Sequence, residues 1–210
     1  MRKSPDPKLF YDGDPEECRP GILTATNDLI SELGFDGITM KMVAERSGLS
    51  IEKLEKEYSH KQQILNELIS FHLDVHEGIR VFTRTNPDFS PLQGFQREWE
   101  LMCEHLSSHQ EIIQAYKQYE SDLDPWVEGR IKQHRDQDVD LLEKACDMKE
   151  LPRVNVASLE AVLYGTIKNL ILGSVHKRPR SHFIAFPGTV YSMILVPLIA
   201  GSIQATNPRR

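Results

Sequence analysis

The sequence predicts an all-α fold of about nine helices, and three observations support this prediction. Apolar residues recur three and four positions apart along most of the 210 residues, which is the spacing of one face of a helix. No stretch of useful length alternates apolar and polar residues in the manner of a half-buried strand. Glycine and proline interrupt the helical stretches, as at Gly34, Gly48 and the proline-rich segment 86–91.

The predicted elements follow one another with short connections. Residues 1–15 mix proline, aspartate, glycine and lysine, which is typical of a flexible N-terminal arm. Gly34 is expected to end the first helix, because glycine is the residue favoured at a helix C-terminus. The segment 86–91 separates an N-terminal group of helices from the rest of the chain. The predicted helices span 16–33, two short stretches within 39–58, and then 60–82, 92–108, 111–120, 125–148, 156–175 and 188–205.

The two short helices within 39–58 carry the signature of a helix-turn-helix motif. Thr39 and Ser50 are residue types that cap helix N-termini, and each stands directly before a short helical pattern. Gly48 is suited to the turn between the helices, since a left-handed conformation costs glycine least. Leu54 and Tyr58 lie one turn apart and predict a buried face on the second helix. This arrangement is the unit that places its second helix in the major groove of DNA.

Composition and charge exclude several other classes of protein. A formal net charge of −6 argues against a protein that binds nucleic acid over its whole surface. The three cysteines are far apart in sequence and form no CxxC pair, which favours reduced thiols in a cytoplasm. The N-terminus lacks the apolar stretch of a signal peptide, and no run reaches the roughly 18 apolar residues of a membrane helix. We therefore expect a cytoplasmic protein that makes no use of a membrane.

The segment 22–65 resembles the N-terminal region of the TetR family of bacterial transcriptional regulators. The resemblance implies a three-helix helix-turn-helix bundle over 16–60, joined to a larger helical domain over 61–210 for ligand binding and dimerisation. It also implies a homodimer that binds a palindromic operator in double-stranded DNA as a repressor and releases it when a small molecule binds. The matching residues are Ile22-Leu23, Ala25, Leu29-Ile30, Gly34-Phe35, Thr39, Val43-Ala44, Gly48-Leu49-Ser50, Leu54, Tyr58, Lys61 and Ile64-Leu65.

The resemblance also places the DNA contacts. Lys41 and Lys61 correspond to phosphate contacts, and the exposed residues of the second helix would face base edges or nearby phosphates. We expect Lys53→Ala to alter sequence preference and Lys61→Ala to weaken binding to all sequences alike. The predicted DNA-binding residues are Thr39, Lys41, Ser50, Ile51, Glu52, Lys53, Lys56 and Lys61.

The second helix departs from the family pattern in its charge. Glu52 and Glu55 stand where the family commonly has a small residue and an aromatic residue, and Glu57 adds a third carboxylate. Residues 38–61 contain five Lys or Arg and four Glu, a net charge of +1, whereas residues 1–65 have a net charge of −3 from nine basic and twelve acidic residues. Unpaired carboxylates near phosphates weaken binding, although one glutamate can accept a hydrogen bond from cytosine. The alternative is therefore a TetR-fold module that binds a ligand or a protein and has weak or lost DNA affinity.

The C-terminal part of the sequence supplies candidates for effector binding and dimerisation. Trp99, Tyr116 and Tyr164 combine an aromatic face with a polar edge, which suits a mostly apolar pocket for an apolar or amphipathic effector. No cofactor is predicted. The last two helices are apolar nearly all round, which favours a bundle formed between two subunits. The predicted interface residues are Leu163, Ile167, Leu170, Tyr191, Ile194, Leu195 and Leu198.

Two histidine pairs leave a further alternative open. His72 and His76 are four residues apart, as are His105 and His109, and such pairs can chelate a metal ion if a third ligand joins them. Cys103, Glu104 and Glu77 are candidates for that ligand, but spacing alone defines no triplet, and so no metal residue is assigned. A metal sensor is thus a less favoured interpretation than a sensor of an organic effector.

An enzyme is not expected, because the sequence has no GxSxG, no HExxH and no phosphate-binding glycine-rich loop. The charged stretch 130–143 instead predicts a solvated helix face.

Overall fold

A computed structural model describes residues 15–174 and Leu195. Among these residues the chain forms eight α-helices and one short 3-10 helix, and no strand occurs. The helices are α1 (Pro15–Gly37), α2 (Met40–Ser47), α3 (Ile51–Glu57), α4 (Lys61–Arg84), α5 (Pro91–Ser107), α6 (Gln110–Gln118), α7 (Pro125–Asp147) and α8 (Val156–Ser174), with the 3-10 helix over Glu120–Asp122. The all-α prediction is confirmed. The last predicted helix, 188–205, lies outside the described residues except for Leu195, which is buried.

The helix boundaries coincide with residue types that favour helix ends. Gly34 interrupts α1 with φ 72° and ψ 160°, so the regular helix stops where glycine predicted it would. Ser90 caps α5 through a reciprocal capping box with Gln93. Pro125 occupies the first position of α7, where its missing N–H costs no hydrogen bond. No helix among the described residues is long and apolar enough to cross a membrane.

The chain divides into two compact units, and the division falls within α4. The first unit extends to His72 and also takes Glu111–Val127 from further along the chain. The second unit comprises Leu73–Gln110 and the chain from Glu128 onward. The sequence-based division at residues 15 and 60 stays a prediction.

An apolar core holds the first unit together. Its members are large, fully buried aliphatic side chains from α1 to α4 and from the connection between α1 and α2, and their burial removes apolar area from water. Leu33 and Phe71 of the same unit are about half exposed. The core includes Ile22, Ile30, Ile38, Val43, Leu54, Ile64 and Leu65.

The second unit has a mixed core. Apolar residues such as Phe95, Trp99, Leu142 and Leu159 are buried there. Arg80, Glu98, His134 and Glu160 are buried with them. Buried charges are tolerated only when they are paired, and the pairs are described below.

Candidate functional site

The helix-turn-helix is built by the caps that the sequence predicted. The Thr39 hydroxyl accepts a hydrogen bond from the Met42 N–H at 3.3 Å, and the Ser50 hydroxyl accepts one from the Lys53 N–H at 3.3 Å. Gly48 adopts the left-handed conformation at φ 75°, and its N–H donates back to the end of α2. The Leu49 N–H donates to the Ala44 carbonyl at 2.9 Å, which closes the turn. The geometry of α2, turn and α3 is therefore fixed by local hydrogen bonds.

Contacts beneath α3 hold this helix against α1 and α4. Leu54 is fully buried, and the Tyr58 hydroxyl donates to the Glu67 carboxylate at 2.6 Å. Burial and the Glu67 carboxylate both raise the pKa of Tyr58, so its hydroxyl keeps the donated proton. Arg19 of α1 lies 3.9 Å from Glu57 and 3.8 Å from Glu67. Glu57 is thereby turned toward α1 and away from the exposed face of α3.

The outer face of α3 carries a balanced set of charges. Successive residues of a helix are about 100° apart, so the side opposite the buried Leu54 presents Glu52 and Lys56, with Lys53 and Glu55 at its edges. All four of these residues are exposed.

Glu52 is held at the start of the recognition helix, α3. Hydrogen bonds from its own backbone N–H and from the Ser50 side chain lower the pKa of Glu52. A carboxylate in the first turn also interacts favourably with the N-terminal end of the helix dipole. Much of the hydrogen-bonding capacity of Glu52 is therefore used within the protein, and Lys53 and Lys56 face one remaining exposed carboxylate, Glu55.

The other predicted phosphate contacts differ in their surroundings. Lys41 is largely exposed and lies 3.9 Å from Glu45 on the same helix. The Lys61 ammonium instead donates to the carbonyls of Phe35 at 2.8 Å and Ile38 at 3.1 Å. It also lies 4.6 Å from the centroid of the Phe35 ring. The Lys61 side chain thus holds the end of α1 and the residues that lead into α2. This structural role competes with a contact to a DNA phosphate.

Two further contacts join the other helices of the first unit to α1. Arg46 of α2 forms a two-point pair with the Glu32 carboxylate of α1, at 2.9 and 2.8 Å. Near the end of α1, Asp36 accepts hydrogen bonds from Gln118, at 2.8 Å, and from the Tyr119 hydroxyl. The Tyr119 and Gln118 donors lower the pKa of Asp36. No sequence pattern indicated these pairs, because their partners are 14 to 83 residues apart.

The predicted effector-binding aromatics belong to different units. Trp99 is buried in the second unit, with its ring centroid 5.9 Å from that of Phe95. Tyr164 of α8 is also in the second unit, where the Arg135 guanidinium lies 4.5 Å from its ring centroid. Arg135 is in turn held by two hydrogen bonds to the buried Glu160, at 2.9 and 2.8 Å. Tyr116 lies in the first unit, and its hydroxyl donates to Glu120 at 3.1 Å.

The predicted dimer residues are described only in part. Leu163 and Leu195 are 2% and 1% exposed in the single chain, so both already pack within it. The side chains of Ile167 and Leu170 and all of Tyr191, Ile194 and Leu198 lie outside the described residues. The sequence analysis missed the exposed side of α8, which carries Val162 together with small residues at a spacing of four: Ala157, Ala161 and Gly165. A helical wheel centred on α8 would have revealed it.

A buried ionic network lies at the centre of the second unit. Arg80 is 5% exposed and donates to Glu98 at 2.9 Å and to Asp138 at 2.8 Å. Arg84 donates to the same two carboxylates, at 2.9 and 2.7 Å. The prediction that 130–143 forms a solvated face is wrong on this side of α7, because Arg80 and Arg84 of α4 compensate the buried charge of Asp138.

One histidine, His134, lies beside this network. His134 is buried and lies 3.6 Å from Glu77. Burial lowers the pKa of His134 to about 4, and Arg80, Arg130 and Arg84 lower it further. Burial also lowers the pKa of His105 to about 4, with a contribution from His109. Both imidazoles are therefore neutral near pH 7.

The fold matches solved TetR family transcriptional regulators over most of the chain. The fatty acid degradation regulator FadR of Bacillus halodurans matches with a TM-score of 0.72 at 14% identity, over 88% of this chain and 97% of that one. The TetR family regulator PfmR of Thermus thermophilus matches with a TM-score of 0.64 at 18% identity, over 80% and 91%. The ketosteroid transcriptional regulator KstR2 of Mycobacterium tuberculosis matches with a TM-score of 0.64 at 19% identity, over 87% and 93%.

These matches establish a TetR-type fold at low sequence identity. No family model matches the sequence, and no curated protein matches it. All three of these solved neighbours are named as regulators.

Proposed function

We propose that this chain is a ligand-responsive transcriptional repressor that binds a palindromic operator as a homodimer in the bacterial cytoplasm. The observation that carries the proposal is the capped helix-turn-helix, in which α3 is fixed from beneath and exposes Lys53 and Lys56. A rigid recognition helix is what major-groove binding requires, because the protein must present its side chains to base edges without first ordering them. The TetR-type fold supports the same function.

DNA contacts are assigned by position on this frame. Thr39 and Lys41 at the start of α2 would contact DNA phosphates, and Lys61 would add positive charge near the DNA backbone. Ile51, Lys53 and Lys56 would meet base edges or adjacent phosphates. Glu52 would order the first turn of α3 together with Ser50 and could accept a hydrogen bond from cytosine. The acidic character of the rest of the chain would confine binding to this one face.

The exposed side of α8 supports dimerisation. Val162 is 53% exposed, and a side chain added at Gly165 would meet nothing within 4 Å in the single chain. Ala157, Ala161 and Gly165 would let a partner helix approach closely. Two copies joined through this face would present two recognition helices to half-sites about one helical turn apart.

An apolar or amphipathic effector would act through the second unit. Two of the solved neighbours are named for fatty acid degradation and for ketosteroids, which supports a ligand of this class. The chain passes from α5 to α6 through two residues, Ser108 and His109, so a shift of α5 on ligand binding would pull on α6. Tyr119 and Gln118, which follow the body of α6, would transmit this shift to Asp36 of α1. The ligand would then favour a dimer whose recognition helices are wrongly spaced for two successive grooves.

The salt dependence of DNA binding tests the function. The full chain is titrated against the DNA upstream of its own gene and against a scrambled duplex, over a range of salt concentrations. A regulator should prefer its own sequence, and the logarithm of its affinity should fall with the logarithm of salt at a slope of about −0.9 per phosphate contact. No preference and no salt-dependent binding would instead support a ligand- or protein-binding module that has lost DNA affinity.

The α8 interface has its own test. Val162→Glu should convert the dimer into a monomer, because an ionised carboxylate would be buried at the interface without a partner. Val81→Glu on α4 is the matched control, since Val81 is also 53% exposed. Sedimentation should give a mass near 24.1 kDa for the first variant and twice that value for the control. A wild-type chain that sediments as a monomer would contradict the proposed dimer.

A further inference from the structure

A group of histidines in the second unit is not used by the proposed repressor mechanism. We name the side chains of His76, His105 and His109 the histidine cluster. The His76 ring meets the His105 ring edge to face, with their centroids 5.3 Å apart. The centroids of His105 and His109 are 4.5 Å apart, and these two residues offer ligand atoms within 4.8 Å of each other. His76, one member of the first predicted pair, thus lies beside the second pair, His105 and His109.

The spacing of these rings suits a common metal ion. A nitrogen of imidazole binds a transition metal ion at about 2.0–2.1 Å, which puts the ring centroid about 3 Å from the ion. Two imidazoles in a tetrahedral arrangement then have centroids about 5 Å apart. The separations of 5.3 and 4.5 Å lie on either side of this value. His105 and His109 already offer ligand atoms within 4.8 Å of each other, and a change in the side-chain rotamer of His76, whose ring contacts that of His105, would bring a third nitrogen toward the same ion.

A backbone contact prepares His109 for binding. Its Nδ1 lies 2.8 Å from the carbonyl oxygen of His105. A carbonyl can only accept a hydrogen bond, so Nδ1 carries the proton and the lone pair of the neutral ring is on Nε2. Metal-binding histidines are typically fixed in the same way, by donating the other ring N–H to a carbonyl or a carboxylate. This tautomer of His109 would bind a metal ion through Nε2.

The chemistry of the neighbouring groups limits which metal ions the cluster could bind. Cys103 is close in sequence, but it is two residues from His105 on α5, and residues two apart on a helix do not face each other, so its thiol lies on another side of the helix. Glu77 is directed to Arg80 and His134, at 3.7 and 3.6 Å. The donors are then imidazoles, which favour zinc, nickel or copper and disfavour magnesium and calcium. Three protein ligands also leave one coordination position open for water or an anion.

We propose that the histidine cluster binds one divalent transition metal ion per chain, with His105 and His109 as ligands and His76 as the third. This site adds to the proposed repressor function a sensitivity to metal ions, located in the unit that contains the predicted effector residues Trp99 and Tyr164. The proposal does not depend on DNA binding.

The test is a metal titration of the full chain, purified without a polyhistidine tag and stripped with a chelator. Calorimetry with Zn²⁺ should give one site per chain, and Co²⁺ should develop the visible absorption of a tetrahedral complex. Mg²⁺ should give neither signal. His105→Gln and His109→Gln should each weaken Zn²⁺ binding by more than the 10–100-fold that is typical of losing an outer-shell partner. His60→Gln is the matched control, because His60 is exposed and lies outside the cluster, and it should bind as the wild type does.

A second measurement needs no variant and so does not depend on how the variants fold. Diethyl pyrocarbonate is applied to the wild-type chain with and without Zn²⁺, and modified histidines are located by peptide mass spectrometry. The ion should protect His105 and His109 and leave His60 reactive. The proposal is overturned if the wild type takes up no Zn²⁺, if the cluster variants bind like the control, or if Zn²⁺ protects no cluster histidine. Because these experiments contain no DNA, a failure of the repressor function would leave their result unchanged.

Discussion

The two compact units of this chain are stabilised in different ways. The first unit surrounds its helix-turn-helix with fully buried aliphatic side chains and keeps most of its ion pairs at the surface. The second unit buries Arg80, Glu98, His134 and Glu160 among its apolar residues. Apolar burial varies little with pH or ionic conditions, whereas a buried charge is stable only while its partners stay in place and in the correct protonation state.

This difference fits a ligand-controlled repressor, in which one unit binds DNA and the other senses the ligand. The DNA-binding surface must keep one geometry, and an apolar frame provides it. The sensing unit must respond to what it binds, and a core of paired charges and neutral imidazoles can be shifted by a modest change in charge. Four predictions test this contrast, from the largest expected effect to the smallest.

A substitution in the ionic network should destabilise the second unit more than the other changes considered below. Glu98→Ala removes the buried carboxylate that both Arg80 and Arg84 contact, so the two guanidinium groups must share Asp138 as their closest remaining carboxylate. Loss of one partner from a buried ion pair costs about 3–5 kcal/mol in the free energy of unfolding. Glu100→Ala is the matched control, because it breaks the exposed pair with Arg97, which is worth at most about 1 kcal/mol. Equal losses for the two variants in urea unfolding would show that the network is not a stabilising core.

Stability should depend on pH through His134. Its pKa is about 4 in the folded chain, below the ordinary value of 6.5, so the unfolded chain binds more protons between these two values. Stability is therefore fully present above pH 6.5 and is lost as the pH falls toward 4, by about 1.4 kcal/mol per pH unit and by about 3 kcal/mol at most. The groups that face His134 are Asp74, Glu77, Arg80 and Arg84 of α4 and Arg130 of α7.

Urea unfolding at pH 7.5 and pH 5 checks this prediction with two variants. His134→Gln stays neutral at both pH values and should lose less stability on acidification than the wild type does. His60→Gln, which removes an exposed histidine, should retain the wild-type pH dependence. If the stability of His134→Gln depends on pH as that of the wild type does, His134 is not the source of the loss of stability on acidification.

Lys53 should contribute to operator recognition. Its replacement by alanine is expected to weaken operator binding by about 1–3 kcal/mol and to alter sequence preference, because Lys53 lies at the edge of the exposed face of α3. Lys132→Ala is the control, since Lys132 is an exposed lysine of α7 in the second unit. Fluorescence anisotropy with operator and scrambled duplexes measures both effects. Wild-type affinity and preference in Lys53→Ala would remove this residue from the interface.

Lys61 should contribute to stability as well as to DNA binding. Lys61→Met keeps the aliphatic stem but loses the hydrogen bonds to the Phe35 and Ile38 carbonyls, at an expected cost of about 1–2 kcal/mol. Lys56→Met removes an exposed charge and should change the free energy of unfolding by less than about 0.5 kcal/mol. Any loss of DNA affinity in Lys61→Met should be the same for all sequences. If both variants unfold like the wild type, the contacts of Lys61 with the α1–α2 connection carry no stability.

The local features of the first unit could be predicted from the sequence because they depend on neighbouring residues. Thr39 and Ser50 cap the helices that begin beside them, and Gly48 takes the left-handed turn that follows α2. Each of these effects operates within four residues, and so each leaves a recognisable pattern. The same holds for Gly34, Ser90 and Pro125 at the other helix boundaries.

Charge pairing could not be predicted in this way, because the sequence does not say which side chains meet across helices. Glu57 lies 3.9 Å from Arg19, which is 38 residues away in the sequence, and Lys61 contacts the backbone of residues 35 and 38. The stretch 130–143 was predicted to be solvated, whereas the structure places Arg80 and Arg84 against Asp138. The histidine pairs acquired a shared location only when α4 and α5 brought His76 to His105.

The sequence by itself determined the helices, their caps and the helix-turn-helix, since these follow from short-range sterics and hydrogen bonds. Tertiary structure alone decided which charges are buried, which carboxylates remain on the face of α3, and which imidazoles lie together. Those outcomes depend on the distances between side chains that are far apart in the chain, and electrostatic energies change steeply with distance and with burial.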